Sequence, residues 1–251
     1  MASRPQTGVQ PNEPEQTASA IRHAGAHALL WTTTAVALAA DLWTTHWAFT
    51  SLLPDETRTG LFGLVSYQRS LNDGALFGMG KGLIPLFIIA SILAVVFILY
   101  FFAGSNRKQR LLHVALACIL AGALGNLFDR TFTLADRLVF TTENGSTERV
   151  LGVIVGGRDT EEIRIGSWPE GSDPRTIPRE QLIEPARSLG VVRDFIKIRA
   201  VAGRDVWPWV FNVADVLLVV GVALLFVGIT LERRTSARTR GVEAAFLGSG
   251  P

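Results

Sequence analysis

The chain is poor in cysteine, histidine and charge, and each shortage removes a class of function. One cysteine in 251 residues, Cys118, rules out an intramolecular disulfide and any multi-cysteine zinc or iron–sulfur site. The four histidines (His23, His27, His46, His113) lack metal-ligand spacing; His23 and His27 are four apart, but in a polar N-terminal stretch. No Ser/His or Cys/His pair accompanies the acidic residues discussed below, which argues against a nucleophilic triad. There is no Walker motif or Rossmann glycine fingerprint, and no cofactor or metal is expected. Charged residues make up 18% of the chain, against about a quarter in a soluble domain. A net charge of +2 is too small for a polybasic nucleic-acid footprint, so no nucleic-acid partner is expected.

What the chain does have is apolar residues in blocks. Hydrophobic residues reach 48%, and four stretches approach the about 20 apolar residues that a spanning helix requires. They run from about 28 to 49, 83 to 102, 111 to 128 and 209 to 231. The second contains no charge after Lys81, and Pro85 falls where a helix's first turn has no N–H partner to lose. The first invites a competing reading as a cleavable signal peptide, because Ala37-Leu38-Ala39 imitates a cleavage site. Apolar character nevertheless resumes past Asp41 with Leu42, Trp43, Trp47 and Phe49. The basic clusters Asn106–Arg110 and Glu232–Arg240 belong in the cytoplasm, and an even span count puts both termini there. Trp43, Trp47, Trp207 and Trp209 then sit near the outer interface, where amphipathic aromatics settle.

Three polar pieces remain. Residues 1–27 lack periodicity and are expected to be a disordered cytoplasmic tail; 232–251 form a basic cytoplasmic tail. From about Thr50 to Gly82, LFGLVSY followed by SLNDGALFGMGKG predicts a short sheet or a re-entrant loop. Within an outer segment from about Thr131 to Pro208, RVLGVIVGG and EEIRIGSW flank a Gly156-Gly157-Arg158-Asp159 turn signal and predict a β-hairpin in a polar insertion. The fold expected is therefore a membrane α-helical one, four transmembrane helices with a small extracytoplasmic β-containing region and an inserted extracytoplasmic loop over about 131–190.

Ionisable and amide side chains at membrane depth are costly, so each is a candidate for function. Asp41 lies late in span one and Asn72 in NDGALFG. Asn126, Asp129 and Arg130 close span three, Asp194 lies in GVVRDF, and Asn212 and Asp215 open span four. Spacings of three and four put Asn126 with Asp129 and Arg130, and Asn212 with Asp215, on shared helix faces. Ala117, Ala121 and Gly125 form a stripe of small residues that lets another helix approach, which packing alone explains. All the polar clusters fall toward one side of the membrane. Two carboxylates in contact cannot both ionise, so such a pair retains one proton and can act as base and acid on a water attacking an amide. These residues leave open an aspartic-type hydrolase and a proton or solute pathway.

At these positions the sequence resembles the lipoprotein signal peptidase family, also called signal peptidase II. Five blocks occur in the family's order: Asp41 and Thr44; Asn72, Gly74, Ala75, Phe77 and Gly78; Gly125, Asn126, Asp129 and Arg130; Val192, Asp194 and Phe195; Phe211, Asn212, Ala214 and Asp215. The resemblance implies a four-span aspartic peptidase of the bacterial inner membrane with Asp194 and Asp215 as its catalytic dyad. Asn126, Arg130 and Asn212 are implied to hold the dyad and the substrate backbone. Asp129 competes with Asp194 for the dyad, but an ion pair with the adjacent Arg130 is expected to occupy it. Asp41 and the Asn72–Gly74 block are implied to support the site and its outer flap. The implied substrate is a prolipoprotein whose signal helix lies in the bilayer, cut just before a cysteine that already carries diacylglyceryl.

Two departures stand out. Thr45 occupies a position where the family usually has lysine, and a long insertion separates Arg130 from Asp194. The insertion could cover the site, dock another envelope protein or merely be tolerated; trimming Thr141 to Pro185 is expected to leave some cleavage. The other readings that remain are a relative that kept the fold while losing activity, favoured by the missing lysine, and a proton-coupled transporter using Asp41, Asp129 and Asp215.

Overall fold

The computed structural model describes residues 19–74, 84–199 and 207–247. Four long helices dominate it: α1 (Ala24–Ser51), α2 (Ile84–Gly104), α3 (Arg110–Phe132) and α4 (Val213–Leu247). Two apolar stretches, Arg110–Phe132 and Val213–Leu231, are long and apolar enough to cross a membrane, and α2 adds the shorter run Ser91–Gly104. α1 carries more polar residues, but its threonines look after themselves. Thr32, Thr44 and Thr50 each donate to the carbonyl four residues back, so their hydroxyls need no water. α3 is the central helix, packed against the other three. Leu30 of α1, Ile98 and Phe102 of α2, and Leu116 and Leu120 of α3 fill the core between them.

The predicted stripe on α3 is a packing surface. Ala117 and Ala121 are fully buried, and a Cβ at Gly125 would lie 2.3 Å from Oδ2 of Asp41 and 3.2 Å from the Cβ of Ala214. Only a glycine lets α1 and α4 meet α3 at that height.

Several expected boundaries move. α1 begins at Ala24, and ahead of it Ala20–Arg22 form a short turn in which Ala20 N–H donates to the Ser105 carbonyl at 2.9 Å. The expected disordered tail of residues 1–27 is thereby corrected at its end, its remainder, 1–18, lying outside the described residues. α4 starts at Val213 rather than at residue 209, because Asn212 caps it and Val210–Phe211 are taken up as a strand. At its far end α4 continues as helix through the basic tail to Leu247.

Two sheets sit at one end of the bundle. The first runs β1 (Arg58–Gly60), β2 (Val65–Asn72), β8 (Val192–Ile198), β9 (Val210–Phe211), all antiparallel. Between Thr50 and Gly74 the short-sheet expectation therefore matches, although Leu61–Gly63 form a turn and the strand proper starts at Val65. Residues 75–83, the remainder of the glycine-punctuated block with Ala75, Phe77 and Gly78, lie outside the described residues. In the second sheet the order is β6 (Ser172–Pro178), β5 (Glu162–Ser167), β4 (Thr147–Gly156), β3 (Leu134–Thr141), β7 (Arg187–Gly190). The expected hairpin is β4–β5, turned at Gly157, which takes φ +78°, a value that favours glycine. The insertion is thus a five-stranded sheet with its own core of Leu138, Phe140, Ile163, Ile165 and Ile177. Asp136 fastens three of its strands by accepting from Ile154 N–H, Arg158 and Ser188. The two sheets are joined by Ala135, Leu189 and Val191 packed with Leu71, Leu151 and Trp168.

Candidate active site

Strand β8 and the first turn of α4 bring Asp194 and Asp215 into one cleft. Its volume is about 690 Å³, and Asn72, Gly74, Arg130, Trp209 and Phe211 also line it. In the β2–β8 ladder Ser70 lies directly opposite Asp194 and Asn72 opposite Val192. Residues two apart share a face of the sheet, so the Asn72 side chain reaches diagonally to donate from Nδ2 to Oδ2 of Asp194 at 3.0 Å. Gly74 sits beside it because its N–H donates to Oδ1 of Asn72 at 2.8 Å, an Asx turn that fixes the amide's orientation.

Asp215 is set by the start of its helix. Asn212 is the N-cap: its Oδ1 accepts from Asp215 N–H at 2.9 Å, while Oδ2 of Asp215 accepts from Asn212 N–H at 3.3 Å. This reciprocal pair is a capping box with an Asn and an Asp in the two roles. Asn126 on α3 then donates from Nδ2 to Oδ1 of Asp215 at 2.9 Å and accepts from Asn212 Nδ2 at 3.0 Å. Both carboxylate oxygens of Asp215 thus accept hydrogen bonds. Asp41, buried on α1, accepts from Ala214 N–H at 2.7 Å and so satisfies another free amide at the α4 N-terminus.

Asp194 is in a different environment. It is only 2% exposed, and its Oδ1 has no hydrogen-bond partner. Burial first, then repulsion from Asp215 and more weakly Asp129, hold its carboxyl well above the ordinary range, against the opposing effects of Asn72 and Arg130. The two carboxyl groups therefore differ: Asp215 is cradled by donors, and Asp194 is buried with its pKa pushed upward.

Asp129 is engaged elsewhere, and the expected ion pair with Arg130 is corrected. A one-residue step on a helix turns side chains to different faces. Asp129 points to β8, where it takes Arg193 Nη2 at 2.5 Å, Nε at 3.0 Å and the Arg193 N–H at 2.9 Å. Arg130 faces the cleft, within electrostatic reach of Asp194, Asp215 and Asp73. Asn126 and Asp129, expected to act from one face, thus serve Asp215 and β8 separately. Asn212 likewise meets Asp215 as a cap and not along a helix face.

Other contributors escaped the sequence reading. Arg193 fixes the strand that carries Asp194, and its place next to Asp194 was the available signal, since alternation points it the opposite way. Asp73, next to Asn72, is buried between Arg149 at 3.2 Å and Arg137 at 3.6 Å, both from the inserted sheet. No sequence spacing announces that contact. Thr45, where a lysine was expected, is buried on α1.

Comparisons with known proteins point to one family. Residues 33–231 match the family model described as signal peptidase (SPase) II. The lipoprotein signal peptidase of Desulfitobacterium hafniense (strain DSM 10664 / DCB-2) is 27% identical over 169 residues, covering 67% of this chain and 71% of that protein. That of Latilactobacillus sakei subsp. sakei (strain 23K) is 46% identical over 70 residues, 28% of this chain and 44% of that one. A solved structure described as a bacterial membrane enzyme, obtained in meso at 2.3 Å, superposes with a TM-score of 0.52 at 21% identity, covering 83% of this chain and 90% of that chain, and so shares the fold. With the family model running from α1 into α4 and so across every residue of the cleft, the chain belongs to the signal peptidase II family and is an aspartic-type peptidase.

Proposed function

We propose that this protein removes signal peptides from diacylglyceryl-modified prolipoproteins, cutting before the lipidated cysteine, with Asp194 and Asp215 as its dyad. The observation that carries the reading is the pair of unlike carboxylates in one cleft, one surrounded by donors and the other buried with Oδ1 unpartnered. The substrate class follows from the family and from relatives that carry the name lipoprotein signal peptidase.

In this mechanism Asp215 takes a proton from a water whose oxygen attacks the scissile carbonyl, while the protonated Asp194 donates a hydrogen bond to the carbonyl oxygen. The C–O bond forms as the carbonyl π pair moves onto oxygen. Collapse of the tetrahedral intermediate breaks the C–N bond, the cysteine nitrogen receives a proton from the dyad, and one shared proton remains. Asn126 and Asn212 hold Asp215, Asn72 holds Asp194, and Arg130 and Gly74 line the path of the substrate. Asp41 and Asp129 act at one remove, through the α4 N-terminus and β8.

All four helices serve as spans in this reading. Ile92, Leu93, Val96 and Phe97 of α2 and Val219 and Phe226 of α4 are exposed, an apolar surface suited to lipid and not to water. Residues 28–231 form the peptidase domain in the bacterial inner membrane, both termini are cytoplasmic, and the sheets and cleft face outward. The test is cleavage of a purified diacylglyceryl-prolipoprotein in micelles. Asp194→Asn and Asp215→Asn are expected to abolish cleavage and Asp129→Asn to weaken it; full activity in either of the first two removes that residue from the dyad.

A further inference from the structure

Beside the cleft lies a second hollow of about 300 Å³ that opens to solvent. It shares Ser70, Leu71 and Arg149 with the cleft, and Ser70 is the residue directly opposite Asp194 in the ladder. The two hollows are thus neighbouring parts of one surface groove. One wall comes from β2 and the end of α1; the other comes from the inserted sheet, through Arg149, Leu151 and Trp168.

The outer hollow is built around two guanidinium groups. The Arg69 side chain is only 8% exposed and lies over the Phe49 ring, its Cζ 5.9 Å from the centroid. Its Nη1 donates to the Trp168 carbonyl and to Glu170 at 3.4 and 3.3 Å, yet its Nε is buried without an acceptor. A buried N–H of this kind costs free energy unless something accepts from it. Arg149 is tethered by Asp73, but that carboxylate is shared with Arg137, and the Arg149 side chain is 42% exposed. The other acids nearby, Glu170 and Asp55, lie at the solvent side, both exposed.

We propose that this groove binds the polypeptide that follows the scissile bond, and that Arg69 and Arg149 favour an acidic side chain in it. The inference rests on the proposed peptidase reading. In that reading the signal helix of the substrate stays in lipid, so the chain beyond the cut has to leave along surfaces outside the bilayer. The groove begins at the dyad and runs outward between the two sheets. A small turn of the Arg69 side chain brings its unpartnered Nε–H to a substrate carbonyl or carboxylate, and Arg149 can turn from Asp73 toward a second acceptor. The insertion is then a specificity element, half of a subsite that the helices alone do not form.

The test uses the full-length protein in micelles and three prolipoproteins identical except at the residues immediately after the lipidated cysteine, which are Asp, Ser or Lys. The readout is the ratio of kcat/KM for the Asp and Lys substrates within each preparation, which partial unfolding does not change. Wild type is expected to prefer Asp by about fivefold, as one screened charge pair provides. Arg149→Lys retains the preference and Arg149→Glu reverses it. A wild-type ratio near one, or a ratio unmoved by Arg149→Glu, overturns the inference while leaving the peptidase reading intact. Failure of wild type to cut any of the three substrates, each shown competent toward another signal peptidase II, defeats that reading and this inference with it.

Discussion

Oδ1 of Asp41, on the first helix, accepts a 2.7 Å hydrogen bond from the backbone N–H of Ala214, the residue before Asp215 on the last helix. The contact spans most of the chain and fixes the direction in which α4 presents its first turn. A carboxylate at a helix N-terminus also meets the positive end of the helix dipole. Asp41→Ala leaves the Ala214 amide buried and unpaired, so a loss of about 1–3 kcal/mol is expected, with reduced kcat. Asp41→Asn keeps an acceptor oxygen and is expected to fall between wild type and alanine in both unfolding midpoint and activity. Equal loss in the two variants argues against the capping role.

Gly125 tests the same relationship from the third side. A methyl group there would stand 2.3 Å from Oδ2 of Asp41, too close for any rotamer change of a side chain locked by its own hydrogen bond to absorb freely. Gly125→Ala is expected to destabilise by about 1–3 kcal/mol, the usual cost of overpacking, and to lower activity at least as much as Asp41→Asn. Wild-type activity in Gly125→Ala indicates that α1, α3 and α4 can part without harm to the site.

The Asp129–Arg193 pair ties α3 to β8, and in the proposed mechanism it takes no part in the chemistry. Removing one partner of a buried pair strands the other, at a cost of about 3–5 kcal/mol. Asp129→Ala and Arg193→Ala are each expected to lower the unfolding midpoint strongly, and the double variant by less than the sum of the two. Additive losses in that cycle separate the residues energetically and remove the proposed role.

How much of this could be seen in the chain alone follows from the range of the interactions. Helices of apolar residues and the Gly157 hairpin are local, so the order of the helices and the β4–β5 pair were legible. The amide and carboxylate residues that the fold gathers in the cleft stood out in the chain too, because they are polar groups in or beside apolar stretches. Their pairing was not. Adjacency suggested Asp129 with Arg130, whereas the fold gives Asp129 to Arg193 on a strand that arrives only after the whole insertion. Asn212 was placed inside a helix that it caps, since an apolar window cannot distinguish Trp209–Phe211 as strand from the helix that follows. The Asp73 contacts depend on docking two sheets, and no periodicity encodes that.

Asp194 yields a pH prediction with a definite sign. Burial and then Asp215 raise its pKa in the folded protein, so the native state keeps a proton that the unfolded chain gives up. The associated stability is fully present below the ordinary carboxylate range and is lost as pH rises through the raised folded-state value. Asp194→Asn has no such proton to lose. Its unfolding midpoint, relative to wild type, is expected to rise with pH across that window and then level off. In wild type, kcat/KM is expected to fall on the alkaline side as the same proton leaves. A stability difference that is flat with pH shows that folding does not raise the Asp194 pKa and removes the ground for assigning it the acid role.

Removing the insertion separates catalysis from substrate selection. Among the described residues, every hydrogen bond accepted by the carboxylates of Asp194 and Asp215 comes from Asn72, Asn126 or Asn212, all outside residues 141–185. Asp73 would lose Arg149 but keep Arg137, and β7 would still pair with β3. Leu138 and Phe140 would lose Ile163, Ile165 and Ile177 as core partners, so both are changed to Thr in the trimmed chain to avoid an exposed apolar strand. Cleavage is expected to persist, with KM raised more than kcat and without a preference for acidic residues after the cysteine, because half of the outer hollow is gone. Complete loss of cleavage in a trimmed protein that retains its helical spectrum and a cooperative unfolding transition would mean that the inserted sheet holds the dyad itself, through Asp73 and the Asn72 turn beside it.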